Sequence, residues 1–379
     1  MRRRAPGRGI ACLLLLLIAA PGCTVAAPRP APSAEAPTVG PSRSPAADTW
    51  WRAGDVTGAL ASSLAAPWSV VPLAGGGALL SQRDDGAVLE LTTAGSVRRV
   101  GTVPGVVSGG ESGLHGLALL TTGDTPMLYA YFGAADDNRV VRMPLQGDPG
   151  SFELGQPDVV LDGIPRANTH DGGRLAFGPD GYLYVTTGDA QQSDAAQDPD
   201  ALGGKILRIT ADGEPAPGNP WGTRVWSMGH RNVQGIAWTA DGTMWASEFG
   251  QNTWDEVNRI EPGTNYGWPV VEGVAGREGF ADPVVQWATS EASPSGIAAV
   301  GDTVFVAGLR GERLWQLDTR AGAAVGEPTA AFAGEYGRLR DVVALPDGSL
   351  WLLTSNTDGR GSPRPDDDKL LRVELVPAP

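Results

Sequence analysis

The chain has few cysteines and few charged side chains, and both shortages limit what it can be. Its 379 residues include only two cysteines, Cys12 and Cys23, which both lie near the start of the chain. The remainder therefore has no thiol, no disulfide and no cysteine-bound metal. Charged residues make up 19% of the chain, and the formal net charge is −14. This acidic balance argues against nucleic acid as a partner, because phosphate binding needs a basic surface.

Long hydrophobic runs are also missing, apart from one near the start. Four arginines precede an apolar stretch at 10–20, which is too short to span a bilayer comfortably. The following Ala20-Pro21-Gly22-Cys23 resembles a bacterial lipoprotein cleavage site, at which the cysteine becomes the lipidated first residue. The pattern predicts a signal peptide over 1–22 and an exported protein, anchored by lipid to the outer face of the bacterial cell membrane. An ordinary secretory signal is the alternative.

Residues 23–47 are dominated by alanine, proline and serine. This composition predicts an extended, semi-rigid tether between the membrane and the folded part of the chain. The rest of the chain, 48–379, is predicted to be one folded domain. The chain's 53 glycines and 31 prolines indicate many turns, and therefore short strands rather than long helices.

A phrase built on Asp-Gly recurs in this domain. It reads GPDGYLYVTTGD at 178–189, TADGTMWASEFG at 239–250 and LPDGSLWLLTSN at 345–356, with weaker copies at 74–81 and 300–307. Each strong copy combines a tight turn with an alternating strand that begins with an aliphatic–aromatic pair. At ~55 residues per repeat, the domain has room for six. We therefore predict an all-β fold, a six-bladed β-propeller of four-stranded antiparallel blades; a pair of β-sandwiches or a β-helix is the alternative.

Loops at one end of a propeller converge on its central channel, so function is expected there, on residues outside the repeat. The three histidines lie in Gly-rich polar stretches: His115 in GGESGLHGLAL, His170 in NTHDGGRLAFGPDG and His230 in GHRNVQGIAW. The residues alone leave two interpretations of His170, a base that titrates near neutrality and a turn histidine packed at the start of a strand. We expect His115 to be a satisfied interior histidine.

Five further strings accompany these stretches. They are WASEFGQNTWDEVNRI at 245–260, GTNYGWP at 263–269, SPSGI at 293–297, GLRG at 308–311 and YGRLRDVVALPDGSLWLLT at 336–354. Taken in order, the set resembles the glucose/sorbosone dehydrogenase family, and in particular its periplasmic aldose sugar dehydrogenases. That resemblance implies a soluble six-bladed propeller that uses pyrroloquinoline quinone (PQQ) together with calcium. It also implies oxidation of an aldose at C1 to the lactone, with hydride transfer to PQQ and electrons passed to a membrane quinone or a small redox protein.

The resemblance assigns roles to residues near two of the histidines. His170 matches the catalytic histidine of the family and would be the general base. Arg231 matches an arginine that lies against the quinone carbonyls and polarises them. Asn232 would orient the same region, and Gln234 matches a further residue of the site. The alternative for Arg231 is a surface or inter-blade ion pair.

PQQ carries three carboxylates, so the resemblance implies a cationic site. Arg338 and Arg340 are two residues apart on a predicted strand and therefore share a face. They match the carboxylate-binding arginines of the family, and a solvated strand face is their alternative. Arg310 replaces a lysine that contacts the cofactor in better-studied members. Glu111 matches a Gln or Glu that lines the pocket.

The resemblance also implies a calcium site in EFGQN, at 248–252. Successive backbone carbonyls bind the ion in the family, and here they belong to Gly250 and Gln251. Members of the family often have Gly-Pro at these positions and a polar residue in place of Phe249, so the chain departs from the pattern twice. Four further polar side chains of this stretch are expected to close the turn and anchor the blade: Glu248, Asp255, Glu256 and Asn258.

Two other functions stay open at this stage, a metal-dependent lactonase on a similar propeller and a non-catalytic propeller that binds sugars. The sequence contains no CxxCH haem motif and no GxGxxG motif after a strand, so PQQ would be the only redox group of a dehydrogenase. Trp221 and Trp226, beside the HRN string, are the candidates for the rim of the pocket.

Overall fold

A computed structural model of the chain describes residues 50–324 and 326–378. The predicted signal peptide (1–22) and the predicted tether (23–47) lie outside the described residues and stay predictions. Within the described residues, no helix is long and apolar enough to cross a membrane. The secondary structure there is 25 β-strands and two short 3₁₀ turns, Ser193–Gln197 and Arg320–Gly322.

The strands form six antiparallel sheets, which are the blades of a ring. The first strand, β1 (Trp51–Ala61), belongs to the last blade. Blade 1 consists of β2 (Pro67–Pro72), β3 (Ala78–Gln82), β4 (Ala87–Leu91) and β5 (Val97–Thr102). Blade 2 consists of β6 (Leu114–Leu120), β7 (Met127–Gly133), β8 (Asn138–Gln146) and β10 (Asp158–Ile164), with the two-residue β9 (Glu153–Leu154) beside β8. Blade 3 consists of β11 (Leu175–Phe177), β12 (Leu183–Thr186), β13 (Lys205–Ile209) and β14 (Val225–Met228).

The second half of the ring repeats this arrangement. Blade 4 consists of β15 (Val233–Trp238), β16 (Met244–Glu248), β17 (Trp254–Ile260) and β18 (Val285–Ala288). Blade 5 consists of β19 (Pro294–Val300), β20 (Thr303–Gly308), β21 (Arg313–Asp318) and β22 (Thr329–Ala331). Blade 6 consists of β23 (Leu339–Ala344), β24 (Leu350–Thr354), β25 (Leu370–Pro377) and β1. The predicted six-bladed all-β propeller is confirmed.

The ring is closed by its two ends. The strand β1 pairs antiparallel with β25, from Trp51 opposite Pro377 to Ala61 opposite Leu370. Blade 6 therefore takes its outer strand from the start of the domain and its other three strands from the end. The repeat in the sequence does not reveal this exchange.

The recurring phrase corresponds to the second strand of a blade, and its Asp-Gly turn joins that strand to the first. Gly181, Gly242 and Gly348 adopt φ of 79°, 88° and 81°, a left-handed conformation that favours glycine. The predicted alternation of buried and exposed residues is wrong, since β12, β16 and β24 are buried along their whole length. A blade has a neighbouring blade on each face, so both faces of its second strand are covered.

Antiparallel pairing decides which loops can meet. The start of the first strand, the end of the second and the start of the third lie at one end of each blade, which we call the site end. The Asp-Gly turns lie at the opposite end. His170 precedes β11, Arg231 precedes β15 and Gly250 follows β16, so all three lie at the site end. The core that supports them lies between blades, as where Trp245 of blade 4 packs with Ile297 and Trp315 of blade 5.

Candidate active site

Two cavities open among the loops of the site end. The first, the arginine cavity, has a volume of about 340 Å³ and includes Trp68, Gln234 and Phe249 in its wall. The second, the histidine cavity, has a volume of about 510 Å³ and includes His170 and Trp268. Most of the predicted site residues line one of these cavities. The arginine cavity is lined by Glu111, Gln234, Arg310, Arg338 and Arg340, and the histidine cavity by His170, Arg231 and Gln251.

The arginine cavity has an excess of positive charge. Its charged lining consists of Arg83, Arg310, Arg338, Arg340, Arg360, Glu111 and Asp358. Arg338 donates from Nε and Nη2 to Asp358 Oδ2, at 3.1 and 2.8 Å. Asp358 is also the acid nearest to Arg340, whose Nη2 lies 3.6 Å away. One buried carboxylate therefore serves two buried guanidinium groups, which is incomplete compensation and favours an anionic ligand.

Arg340 is buried in the wall of this cavity with an incomplete set of partners. Its Nη1 donates to Gln234 Oε1 at 2.9 Å and to Ser295 Oγ at 3.3 Å, whereas its buried Nε has no partner among the described residues. Burial lowers the pKa of Arg340 to about 9, although Asp358 opposes this change. The prediction that Arg338 and Arg340 face the same site agrees with this geometry, and the solvated strand face is excluded because both are buried.

His170 is held between an acid and a cation. Its Nδ1 lies 2.8 Å from Asp189 Oδ1, and Arg231 Nη2 lies 2.7 Å from its Nε2. A guanidinium group can only donate, so Nε2 must accept, and the proton of the neutral ring must be on Nδ1. The imidazole therefore has the tautomer of a base, with its lone pair on Nε2 beside the cavity. The alternative of a turn histidine packed at a strand start does not account for these two contacts.

Asp189 is itself fixed by two further donors. Trp268 Nε1 donates to its Oδ2 at 2.8 Å, and the Gln191 backbone N–H donates to its Oδ1 at 2.9 Å. Burial opposes the charge of this carboxyl, but the contact with His170 and these hydrogen bonds outweigh burial and lower the pKa of Asp189. The preceding Gly188 has to be a glycine, because a Cβ there would overlap the carbonyl oxygen of His170.

Glu111 fixes the backbone of His170. The histidine adopts φ of 64°, which a residue with a side chain rarely occupies, and its N–H donates to Glu111 Oε2 at 3.0 Å. Arg360 Nη1 donates to Glu111 Oε1 at 2.7 Å. Burial opposes the charge of Glu111, but these two donors lower its pKa. Glu111 thus joins the wall of the arginine cavity to the histidine.

Arg231 takes its position from the loop after β16. Its Nε and Nη2 donate to Gln251 Oε1, at 2.8 and 2.5 Å, and its Nη1 donates to the Phe249 carbonyl at 3.1 Å. The surface or inter-blade ion pair is excluded, because Arg231 is buried and makes no ion pair within the part of the chain that the structure describes. Asn232 lines neither cavity: it is fully buried, and its Oδ1 accepts the Gly172 N–H at 3.0 Å.

The loop that carries the predicted calcium ligands is tightly packed. A Cβ at Gly250 would overlap the Trp254 carbonyl oxygen, and the Gly250 N–H donates to Asp255 Oδ1 at 3.0 Å. Among the described residues, no group of three or more His, Cys, Asp or Glu side chains could hold a metal ion. The predicted site uses the backbone carbonyls of Gly250 and Gln251 instead, and it stays a prediction.

The four polar side chains expected to be structural, Glu248, Asp255, Glu256 and Asn258, do make structural contacts. Asp255 also accepts the Ser293 N–H at 2.6 Å and so ties the turn to the next blade. Glu248 accepts from His230 Nδ1 at 2.8 Å and from the Arg231 N–H at 2.5 Å. Glu256 and Asn258 are buried beside it and are joined by a hydrogen bond of 3.0 Å.

His115 is an interior residue, as expected, but only one of its ring nitrogens is satisfied. Its Nε2 lies 2.8 Å from the Glu111 carbonyl oxygen, and its buried Nδ1 has no partner among the described residues. Burial lowers its pKa to about 3, so the ring is neutral. It is stacked between Trp68 and Tyr131.

The prediction for the rim was wrong. Neither Trp221 nor Trp226 lines the two cavities, and Trp226 faces a groove beside Asp241, which belongs to an Asp-Gly turn. The tryptophans that do line the cavities are Trp68 and Trp268. Trp268 stands in the GTNYGWP string, one of those that carry the family resemblance.

Sequence reasoning also missed Asp189 and Asp358. Asp189 ends the first copy of the repeated phrase, where the other copies end in Gly250 and Asn356. That departure from the repeat was the available signal. Asp358 carries no such mark, since it lies in a polar loop that resembles many solvated loops.

Comparison with known proteins agrees with this geometry. A sequence profile of the glucose/sorbosone dehydrogenase family matches residues 64–372. An aldose sugar dehydrogenase of Escherichia coli is 34% identical over 234 residues, which are 53% of this chain and 62% of that protein. Quinoprotein glucose dehydrogenase B of Acinetobacter calcoaceticus is 31% identical over 237 residues, which are 53% of this chain and 50% of that protein. The match thus spans about half to two thirds of the length of these relatives.

A solved structure is similar over a larger part of the chain. It is the PQQ-bound form of an aldose sugar dehydrogenase from Streptomyces coelicolor, which is 50% identical and superimposes with a TM-score of 0.84. The similarity covers 87% of this chain and 100% of that chain. With a family profile that matches most of the folded domain, the chain belongs to the glucose/sorbosone dehydrogenase family.

Proposed function

We propose that the chain is a PQQ-dependent aldose sugar dehydrogenase that oxidises an aldose at C1 to the lactone. One observation carries the proposal: His170, held by Asp189 and Arg231, is joined through Glu111 to the wall of an arginine-rich cavity. The PQQ-bound relative from Streptomyces coelicolor and the quinoprotein relative support the choice of cofactor.

The residues present fit PQQ. The buried Arg340 Nε has no partner among the described residues, and Asp358 alone compensates Arg338 and Arg340. A ligand with three carboxylates would complete these contacts through charge-assisted hydrogen bonds. Arg338, Arg340, Arg310, Gln234 and Glu111 are the residues that would hold it. When bound, PQQ supplies an electrophilic quinone that accepts the two electrons removed from the sugar.

His170 removes the proton from the C1 hydroxyl group in this proposal. The C1 hydroxyl group would replace Arg231 Nη2 as the donor to Nε2, whose lone pair then accepts the proton, and the resulting imidazolium is stabilised through Nδ1–H by the carboxylate of Asp189. Glu111 holds the left-handed backbone of His170, and Asp189 and Arg231 hold its ring in the wall of the histidine cavity. Asn232 supports the same loop, because its Oδ1 accepts the N–H of Gly172.

Arg231 supplies the fixed positive charge. Its guanidinium group is buried and held by three hydrogen bonds to the 249–251 loop, so it does not reorganise when negative charge develops nearby. It also donates to His170 Nε2, which fixes the tautomer whose ring proton is on Nδ1. Arg231 thus serves both the base and the electrophilic side of the site.

Calcium belongs to the same proposal, with the carbonyl oxygens of Gly250 and Gln251 as ligands. A hard cation prefers oxygen ligands, and a backbone carbonyl provides one whatever the side chain. The replacement of proline by Gln251 is therefore compatible with a calcium site. A calcium-containing structure of a fungal carbohydrate-active enzyme shares only the fold at 16% identity and adds nothing about the ligands.

The partners and location complete the proposal. An external acceptor, a membrane quinone or a small redox protein, would reoxidise the cofactor, because the sequence contains neither a CxxCH haem motif nor a GxGxxG motif after a strand. The lipoprotein-like motif at Cys23 supports export and a lipid anchor at the outer face of the cell membrane.

The test is reduction of a redox dye by the purified protein with PQQ, calcium and a panel of aldoses. We expect activity that needs both additions and that is lost in His170→Ala. His170→Gln is the variant matched for side-chain volume, and it should be equally inactive if the imidazole is the base. Absence of PQQ binding at micromolar concentration would overturn the proposal and favour a sugar-binding propeller or a lactonase.

A further inference from the structure

One carboxylate outside both cavities accepts hydrogen bonds from four consecutive backbone N–H groups. It belongs to Glu272, in the segment that follows Trp268. Its Oε1 receives the N–H groups of Gln251 at 2.8 Å, Asn252 at 3.1 Å, Thr253 at 3.0 Å and Trp254 at 3.1 Å. Successive N–H groups that converge in this way form a concave site for an anion, and here the anion is a side chain of the same protein.

Most of these N–H groups would not lack a hydrogen-bond partner without Glu272. Gln251, Asn252 and Thr253 are exposed, so water could satisfy their N–H groups. Glu272 forms no ion pair among the described residues, and its Oε1 accepts hydrogen bonds from the N–H groups of the loop instead. Burial opposes its charge, but the four N–H groups outweigh this and lower the pKa of Glu272. The contact therefore fixes the conformation of the loop rather than hiding polar groups.

The loop fixed by Glu272 is the one that holds Arg231. Gln251 Oε1 accepts from Nε and Nη2 of Arg231, and the Phe249 carbonyl accepts from Nη1. The same Nη2 contacts His170 Nε2 at 2.7 Å. A displacement of the loop would therefore change the distance between the guanidinium group and the histidine.

We propose that Glu272 is a positioning residue, which acts through the 249–254 loop and Gln251 to set Arg231 against His170. The inference rests on the proposed function. A displacement of about 1 Å at a reacting group costs as much as 100-fold in rate. Glu272 lies outside both cavities, so its loss should change kcat much more than KM for the sugar.

The kinetic test compares Glu272→Ala, Glu272→Gln, Gln251→Ala and the double variant Glu272→Ala/Gln251→Ala in the full-length protein. We expect kcat to fall roughly 10- to 100-fold in Glu272→Ala. Glu272→Gln should recover most of it, because an amide oxygen also accepts N–H groups. The double variant should be little worse than either single variant, because the two residues act along one path. Glu261→Ala, at an exposed acid beside Arg259, is the control and should keep full activity.

A second readout needs neither cofactor nor substrate. Hydrogen–deuterium exchange of the 251–254 amides should be slow in the wild type and in Glu272→Gln, faster in Glu272→Ala, and unchanged in Glu261→Ala. Unchanged exchange in Glu272→Ala would overturn the inference that Glu272 fixes the 249–254 loop. Faster exchange with normal kcat would overturn the inference that this loop positions Arg231 for catalysis. Additive effects in the double variant would overturn the path through Gln251. If the wild type oxidised no aldose, the proposed function would be wrong, whereas the exchange result would still show whether Glu272 fixes the loop.

Discussion

The chemistry of the candidate base is set by its neighbours, one residue at a time. An isolated histidine exchanges between two tautomers, whereas His170 has an acceptor at Nδ1 and a donor at Nε2. These contacts select the one tautomer in which Nε2 can take a proton. Asp189 is thus as necessary to the proposed reaction as the histidine, through which it acts.

The first prediction concerns Asp189→Asn. The amide can turn its NH₂ group toward Nδ1, which would move the ring proton to Nε2 and remove the base. We expect kcat for aldose oxidation to fall roughly 100- to 10,000-fold, the range for loss of general base catalysis, with little change in thermal stability. Steady-state kinetics measures the effect, and Asp194→Asn, at an exposed acid of the next turn, is the control. Retention of more than about a tenth of wild-type kcat would contradict the role given to Asp189.

In the proposed function, Arg340 serves ligand binding at the cost of stability. It is buried, it shares an acid with Arg338, and its Nε is unpaired among the described residues. Burying a guanidinium group without full compensation is unfavourable. The charge is therefore expected to stabilise a bound anion rather than the free protein.

The second prediction follows from this balance and concerns Arg340→Met. Without cofactor, the variant should be as stable as the wild type or more stable, because Asp358 keeps its two hydrogen bonds from Arg338. Its affinity for PQQ should fall at least roughly tenfold, the effect of losing a charge-assisted contact worth about 1.4 kcal/mol. Thermal unfolding and fluorescence titration measure the two effects. Arg372→Met, at a surface arginine, should change neither, and a large loss of stability in Arg340→Met would contradict the argument.

At the scale of the element, strand register brings two acids together. Glu248 on β16 lies directly opposite Glu256 on β17. Like charges in this position repel each other. His230 and the Arg231 N–H stabilise the charge of Glu248. Burial, with repulsion from Glu248, raises the pKa of Glu256 to about 8 from its ordinary value of 4.5.

The third prediction is a pH dependence of stability that Glu256→Gln removes. Between about pH 5 and pH 8 the folded protein binds the Glu256 proton more tightly than the unfolded chain does, so wild-type stability falls as pH rises through this range. The glutamine variant has no proton to lose. Its advantage in free energy of unfolding should therefore grow from pH 5 to pH 8 and then stay constant.

Urea unfolding at several pH values measures this difference. Glu374→Gln, at an exposed acid of β25, is the control and should follow the wild type. A difference between wild type and Glu256→Gln that did not vary with pH would show that Glu256 is already ionised at pH 5 in the folded protein.

At the scale of the whole molecule, the site depends on closure of the ring. The arginine cavity combines Arg83 from blade 1, Gln234 from blade 4 and Arg340 from blade 6. Blade 6 is completed only by β1, whose Trp51, Ala53 and Val56 pack against the core of that blade. Blades 6 and 1 are also neighbours in the ring, so an open blade 6 would loosen both walls of the cavity.

The fourth prediction concerns a chain that lacks residues 1–61 and therefore β1. Its loss would expose one edge of β25 and the apolar surface that β1 covers, so we expect the apparent Tm to fall by roughly 10 °C or more. Affinity for PQQ should fall with it. Deletion of residues 1–47 alone is the matched control, and differential scanning calorimetry measures both. An unchanged Tm in the longer deletion would mean that the ring holds without its closing strand.

Much of the architecture and the chemistry of the site could be predicted because their causes are local. An Asp-Gly turn needs a left-handed glycine, as at Gly181 and Gly242, and so it marks blades 3, 4 and 6 in the sequence. The motifs around His170, Arg231 and Arg340 are short strings with recognisable residue types. These features determined the fold class, the number of blades and most of the proposed cofactor site.

Other features were decided only by the tertiary structure, because they join residues that no local rule connects. Asp189 meets His170 across 19 positions, Glu272 meets Gln251 across 21, and β1 meets β25 from opposite ends of the domain. The buried faces of β12 and β16 depend on the neighbouring blades, so their alternation could not be predicted from one strand. Turn geometry is a property of a few adjacent dihedral angles, whereas the partner of a carboxylate or of a strand edge depends on how the whole ring packs.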